Sequence, residues 1–163
     1  HYDVWAWDFV HDRYHESEPL RCLTVKDEAT GYCLAIKTGR HLQTRHVTAL
    51  LRELITRYGR PRAIRSDNGS ELLADAPQEE LKKHAIKLAN IEPGKPWQNG
   101  SNESFNGTFR RGCLNAEVFT CLTEARVMIE NWRCRYNERK PHSPQNYITP
   151  EMAYFGLREM RKA

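Results

Sequence analysis

Residues 2–10 read YDVWAWDFV, and both alternations along them are apolar: Tyr2, Val4, Ala6 and Val10 on one side, Trp5, Trp7 and Phe9 on the other. A strand that is apolar on both faces belongs at the centre of a sheet, with one layer packed above and another below. Asp8 lies inside this strand. Burying an ionised carboxylate without partners costs on the order of the net stability of a whole domain, so Asp8 is expected to be paired, protonated or bound to a cation.

Two further strands are predicted, over 20–27 (LRCLTVKD) and 32–37 (YCLAIK), separated by a turn at Thr30 and Gly31. Val47, Leu50, Leu51, Leu54, Ile55 and Tyr58 recur at helical spacing until Gly59 and Pro61 stop them. A short strand through Ala63 and Ile64 follows, then a helix from Asp75 to His84 and a last strand within 85–91. The segment EPGKPWQNG reads as a loop. A helix is expected from about Asn99 to Leu114, another from a cap at Thr123 to Pro141, and a short one from Thr149 and Pro150 to Gly156. Strands first, then alternating elements, then helices indicate an α/β fold: a mixed five-stranded sheet with helices on both faces. No repeat, low-complexity tract or linker interrupts residues 1–163, which read as a single domain.

The 163 residues are 39% hydrophobic and 28% charged, a composition typical of a globular protein. No apolar run approaches the roughly 18 residues of a membrane helix, and the N-terminal residues lack the marks of a signal peptide, so no membrane association and a cytoplasmic location are expected. The five cysteines have no metal or redox spacing and read as reduced thiols. The net charge is −2 over residues 1–81 and +6 over 82–163, an asymmetry that suits a polyanionic partner but is also common on solvated helices. Because the chain opens at His1 and not at Met, it reads as a fragment of something longer.

In IRSDNGSE (64–71), Asp67 stands at the mouth of a strand and Asn68-Gly69 turns the chain away. In SNESFNGTFRR (101–111), Phe105, Phe109 and Cys113 form the core-facing stripe of a helix. Glu103 projects from the opposite side, which it shares with Asn99, Asn106, Gly107 and Arg110. Asp67 and Glu103 have 35 residues between them. Alone, each carboxylate reads as turn chemistry or solvated surface; together with Asp8, three of them can converge at one end of such a sheet. The histidines follow no ligand spacing, and Glu71 and Asp12 read as surface or turn residues.

WDFV (7–10), IRSDNGSE (64–71), PGKPWQNGSNESFNGTFR (93–110) and YNERKPHS (136–143) resemble, in order and spacing, the catalytic core of bacterial insertion-sequence transposases of the retroviral-integrase superfamily. The resemblance implies a ribonuclease H-like fold and a triad of two aspartates and a glutamate, carried here by Asp8, Asp67 and Glu103. It departs from the usual pattern at Lys140, where arginine is common, and at SPQNY (143–147). It implies metal-dependent DNA cleavage and strand transfer with two Mg²⁺ ions, about 3.5–4 Å apart, that Mn²⁺ can replace. Asp8 would bridge the ions, and Asp67 and Glu103 would each complete one. Transposon ends and target DNA are the implied partners, and a homo-oligomer and an upstream helix-turn-helix region are implied with them. Asn68, Lys95, Gln98, Asn99, Asn106 and Arg110 are candidates for DNA contacts. Trp97 is either a stacking platform for a base or a lid over the helix start. Two rivals stay open: a nuclease of the same fold that only hydrolyses, and an inert DNA-binding remnant of a mobile element.

Overall fold

A computed structural model describes residues 4–66, 70–90, 100–139 and 148–162. Five strands form one sheet in the order β3-β2-β1-β4-β5: β1 (Val4–Tyr14), β2 (Glu18–Asp27), β3 (Cys33–Gly39), β4 (Ala63–Ser66) and β5 (Lys87–Asn90). The first three make an antiparallel meander, and β4 and β5 join β1 in parallel. This is the expected mixed sheet, with the doubly apolar strand at its centre.

Because β1 is apolar on both faces, each face carries its own core. One gathers Trp5, Trp7, Leu23, Val25 and Ile64 under α1 (Thr44–Tyr58) and α3 (Asp75–Lys83), with Leu72 of the short α2 (Ser70–Leu73) and Tyr154 of α6 (Pro150–Met160). The other packs Val10, Cys22 and Ile36 against Phe105 and Phe109 of α4 (Gly100–Phe109) and against Ile129, Trp132 and Tyr136 of α5 (Leu122–Arg139). Helices therefore cover both faces.

β3 is an edge strand, and its backbone at Cys33 is satisfied by α5. Asn137 accepts from Cys33 N at 2.8 Å and donates to Cys33 O at 2.9 Å, and Arg133 Nη1 donates to the same carbonyl at 2.7 Å. Arg133 is itself 6% exposed and is paired with both carboxylate oxygens of Glu130. Covering an edge with paired side chains removes donors and acceptors that would otherwise recruit another strand.

Several boundaries differ from the sequence expectation. β1 runs on to Tyr14 and turns into β2 through Glu16 and Ser17, both at positive φ (52° and 64°). The expected helix 99–114 is α-helical over Gly100–Phe109 and widens into a π-helical turn over Arg110–Leu114. Gly112 lies in this turn, where a Cβ would lie 2.9 Å from Trp132 Nε1, so the indole occupies the place of a side chain. Thr123 lies inside α5, and Glu124 caps its approach by accepting from Thr120 N and Oγ1. α6 continues past Gly156 to Met160, because a helical glycine costs only about 1 kcal/mol. Arg158 anchors the extension by donating to Tyr58 O and to the Tyr154 hydroxyl. α2 is too short to leave a periodic signal.

Phe109, with no exposed surface, seats α4 on the sheet. Phe109→Ala is expected to lower unfolding free energy by about 3–5 kcal/mol in urea titrations.

Candidate active site

Alternation along β1 directs Asp8 to the same face as Ala6 and Val10, the face covered by α4 and α5. Strand register fixes its surroundings: Asp8 lies opposite Thr24 of β2, and its neighbour Trp7 lies opposite Ser66, the last residue of β4. The backbone is held by Thr24 Oγ1, which donates to Asp8 O at 3.2 Å. The carboxylate accepts from Phe9 N at 2.9 Å through Oδ1 and from Asn106 Nδ2 through Oδ2. Asp8 is half-buried and, as the sequence required, partnered.

Asn106 belongs to α4, one helical turn beyond Glu103. Residues at this spacing share a helix face with Cβ atoms about 5–6 Å apart. The Asn106 bond therefore brings the Glu103 face of α4 onto the Asp8 edge of β1, while Phe105 and Phe109 on the opposite stripe are buried in the core. Glu103 is exposed beside this contact. The contact ties the helix that carries Glu103 to the strand that carries Asp8.

The donor chemistry fits a hard divalent cation. Asp8 and Glu103 supply carboxylate oxygens, and Asn106 Oδ1 is buried without a hydrogen-bond partner among the described residues. An orphaned acceptor beside a carboxylate is what a cation or its water would satisfy. Among the described residues no group of three acidic, histidine or cysteine side chains gathers to hold a metal, and Asp67 lies outside them. Asn68, Lys95, Trp97, Gln98, Asn99, Lys140 and His142 also lie outside the described residues. Arg110 is described, and its Nη2 donates to His11 O at 2.9 Å, tying the π-helical turn to β1.

Several residues around the site left no signal in the sequence. Lys26, in the middle of the sheet, donates through Nζ to Ser101 O and Oγ. Glu71, expected to be a surface or turn residue, pairs with Arg21 at 2.7 Å, and the Arg21 guanidinium lies over the Phe9 ring, so α2 is tied to β2 and β1. Arg65 of β4 pairs with Glu28 at 2.6 Å. Asp12 accepts from the adjacent Arg13 N, in keeping with a local role. All five cysteines are free; Cys22, Cys33 and Cys113 are buried, and burial pushes their thiols up to about 12, 12 and 11. No helix among the described residues is long and apolar enough to cross a membrane.

Two family models, both of the integrase core domain, match residues 1–96 and 84–150. The chain is 40% identical over 148 residues to the insertion element IS476 uncharacterized 39.2 kDa protein of Xanthomonas euvesicatoria, covering 91% of this chain and 43% of that protein. It is 38% identical over 148 residues to the insertion element IS407 uncharacterized 31.7 kDa protein of Burkholderia multivorans, covering 91% and 53%. The chain thus spans about half the length of these relatives. Among solved structures, the HTLV-2 integrase catalytic core domain in complex with magnesium, in a trimeric form, superposes with a TM-score of 0.68 at 20% identity, covering 93% of this chain and 95% of that one. The sheet order and the helices on both faces are those of a ribonuclease H-like fold. With a family model matched over more than half its length and insertion-element proteins among its relatives, the chain belongs to the integrase core domain family.

Proposed function

We propose that residues 1–163 form one catalytic core that cuts a DNA strand and joins a DNA 3′-hydroxyl to a target strand. The observation that carries this reading is the Asn106–Asp8 hydrogen bond, which sets the Glu103 face of α4 against the central strand of an integrase core fold. Asp8, Asp67 and Glu103 are the metal ligands in this reading. Two Mg²⁺ ions, or Mn²⁺ in their place, would supply Lewis-acid stabilisation of the attacking and leaving oxygens of a phosphodiester. The magnesium complex of the HTLV-2 integrase core supports divalent-metal use.

The chain's own residues have distinct tasks. Asn106 and the Phe9 N–H hold the Asp8 carboxylate in one orientation before any ligand arrives, so ordering it adds no cost at the moment of reaction. Asn68, Lys95, Gln98, Asn99 and Arg110 take the sugar-phosphate backbone, for which amide and cationic side chains are suited. A water is the nucleophile when an end is nicked, and a DNA 3′-hydroxyl when strands are joined. Transposon ends and target DNA are the substrates. The working form is a homo-oligomer, as the trimeric and dimeric HTLV-2 integrase cores suggest by analogy, and it acts in the cytoplasm.

Glu103→Gln or Asp67→Asn in the complete protein is expected to reduce Mg²⁺-dependent joined product from a labelled transposon end to background while DNA binding persists; activity at the parent level in either variant refutes the assignment. The same assay separates joining from hydrolysis alone, which would yield only nicked product. Asn106→Ala removes a hydrogen bond to a charged group and is expected to cost about 1.5–3 kcal/mol of stability in metal-free buffer, read by chemical denaturation.

A further inference from the structure

Lys26 is 3% exposed, and it sits on the same face of the sheet as Asp8. The register pairs Lys26 with Ala6 and Thr24 with Asp8, so Lys26 and Asp8 are diagonal neighbours across two strands. Its ammonium donates to Ser101 O at 2.5 Å and Ser101 Oγ at 2.6 Å, and lies 5.7 Å from the centre of the Phe105 ring. All three contacts are with the first half of α4.

These favourable contacts are offset by the cost of burying the ammonium. Burial pulls the Lys26 pKa down to about 8, against the opposing pull of nearby Cys33, Glu28, Asp8 and Asp27, so its charge is held at a cost. A cation at a helix N-terminus also opposes the helix dipole. What the contact does provide is direction. Phe105 and Phe109 press α4 onto the sheet and fix which side of the helix faces down, and directed hydrogen bonds add register along its axis. Lys26 pins residue 101 and Asp8 pins residue 106, and Glu103 lies between the two pins.

We propose that Lys26 is a positioning residue for Glu103: by tying the first turn of α4 to β2, it holds the Glu103 carboxylate at the distance from Asp8 that a shared divalent cation requires. The inference rests on the reading of Asp8, Asp67 and Glu103 as metal ligands. Supporting residues behind a metal ligand typically set metal affinity by about 10–100-fold.

The test measures Mn²⁺ affinity by electron paramagnetic resonance, without DNA, in the complete protein and in its Lys26→Met, Lys26→Arg and Glu103→Gln variants, together with thermal unfolding. Lys26→Met is expected to melt close to the parent, because it removes the desolvation cost of a buried ammonium and leaves Ser101, which is exposed, to bond to water. It is nonetheless expected to bind Mn²⁺ about tenfold or more weakly, with Lys26→Arg, which keeps a donor for Ser101, recovering most of the loss. Parent-like Mn²⁺ affinity in Lys26→Met while Glu103→Gln has lost the site overturns the proposal and leaves the ligand assignment intact. Parent-like affinity in Glu103→Gln overturns the ligand assignment, and the proposal with it. If Lys26→Met does not fold, Lys26→Gln, whose shorter side chain loses the reach to both Ser101 acceptors, carries the test: a loss of a few-fold or more supports the proposal, and no loss overturns it.

Discussion

The amide of Asn106 on the Asp8 carboxylate is the contact on which the rest of the site depends. It joins the central strand of the sheet to the helix that bears Glu103, and it does so across 98 residues of sequence. Every other feature near the site makes this contact reproducible. The aromatic stripe of α4 fixes which side of the helix faces down, and Phe105, Phe109, Trp132 and Tyr136 meet in stacked, tilted and edge-to-face pairs with centroids 5.0–6.4 Å apart. Cross-strand register fixes which residue of β1 lies beneath.

The two layers of the fold contribute differently. The layer under α1 and α3 packs an aliphatic and aromatic cluster against the sheet, with buried Thr48 and Glu80 on the helices themselves. The opposite layer mixes an aromatic core with polar pins at Ser101, Asn106, Arg133 and Asn137. Both layers carry directed contacts: Arg52 with Glu80 in the first, and Asn106 with Asp8 in the second. Ion pairs of Arg21 with Glu71 and Arg65 with Glu28 extend the same logic to the segments that flank residue 67.

Much of this arrangement was legible in the sequence. The doubly apolar β1, the stripe of Phe105, Phe109 and Cys113 and the break at Gly59 are local signals, and with similar ones elsewhere they place the sheet and five of the six α-helices among the described residues. That Asp8 needed a partner followed from the cost of burying charge, and Asn106 shared the Glu103 face on a simple helical wheel. What stayed hidden depends on tertiary contact. Nothing local marks Lys26 as buried, because an alternating strand places lysine outward by default; only the arrival of α4 above β2 encloses it. The close approach of Trp132 to Gly112 in the π-helical turn and the contact of Arg158 with Tyr58 beyond Gly156 both come from other helices. Glu71 read as surface because its partner Arg21 is 50 residues away.

The central claim is that Asp8, Asp67 and Glu103 share one divalent-cation site. Anomalous diffraction from a crystal of the protein soaked in Mn²⁺ tests it most directly. The account predicts an anomalous peak bonded to oxygens of Asp8 and at least one of Asp67 and Glu103. A peak elsewhere, with the Asp8 and Glu103 carboxylates turned to separate faces of the molecule, would contradict it.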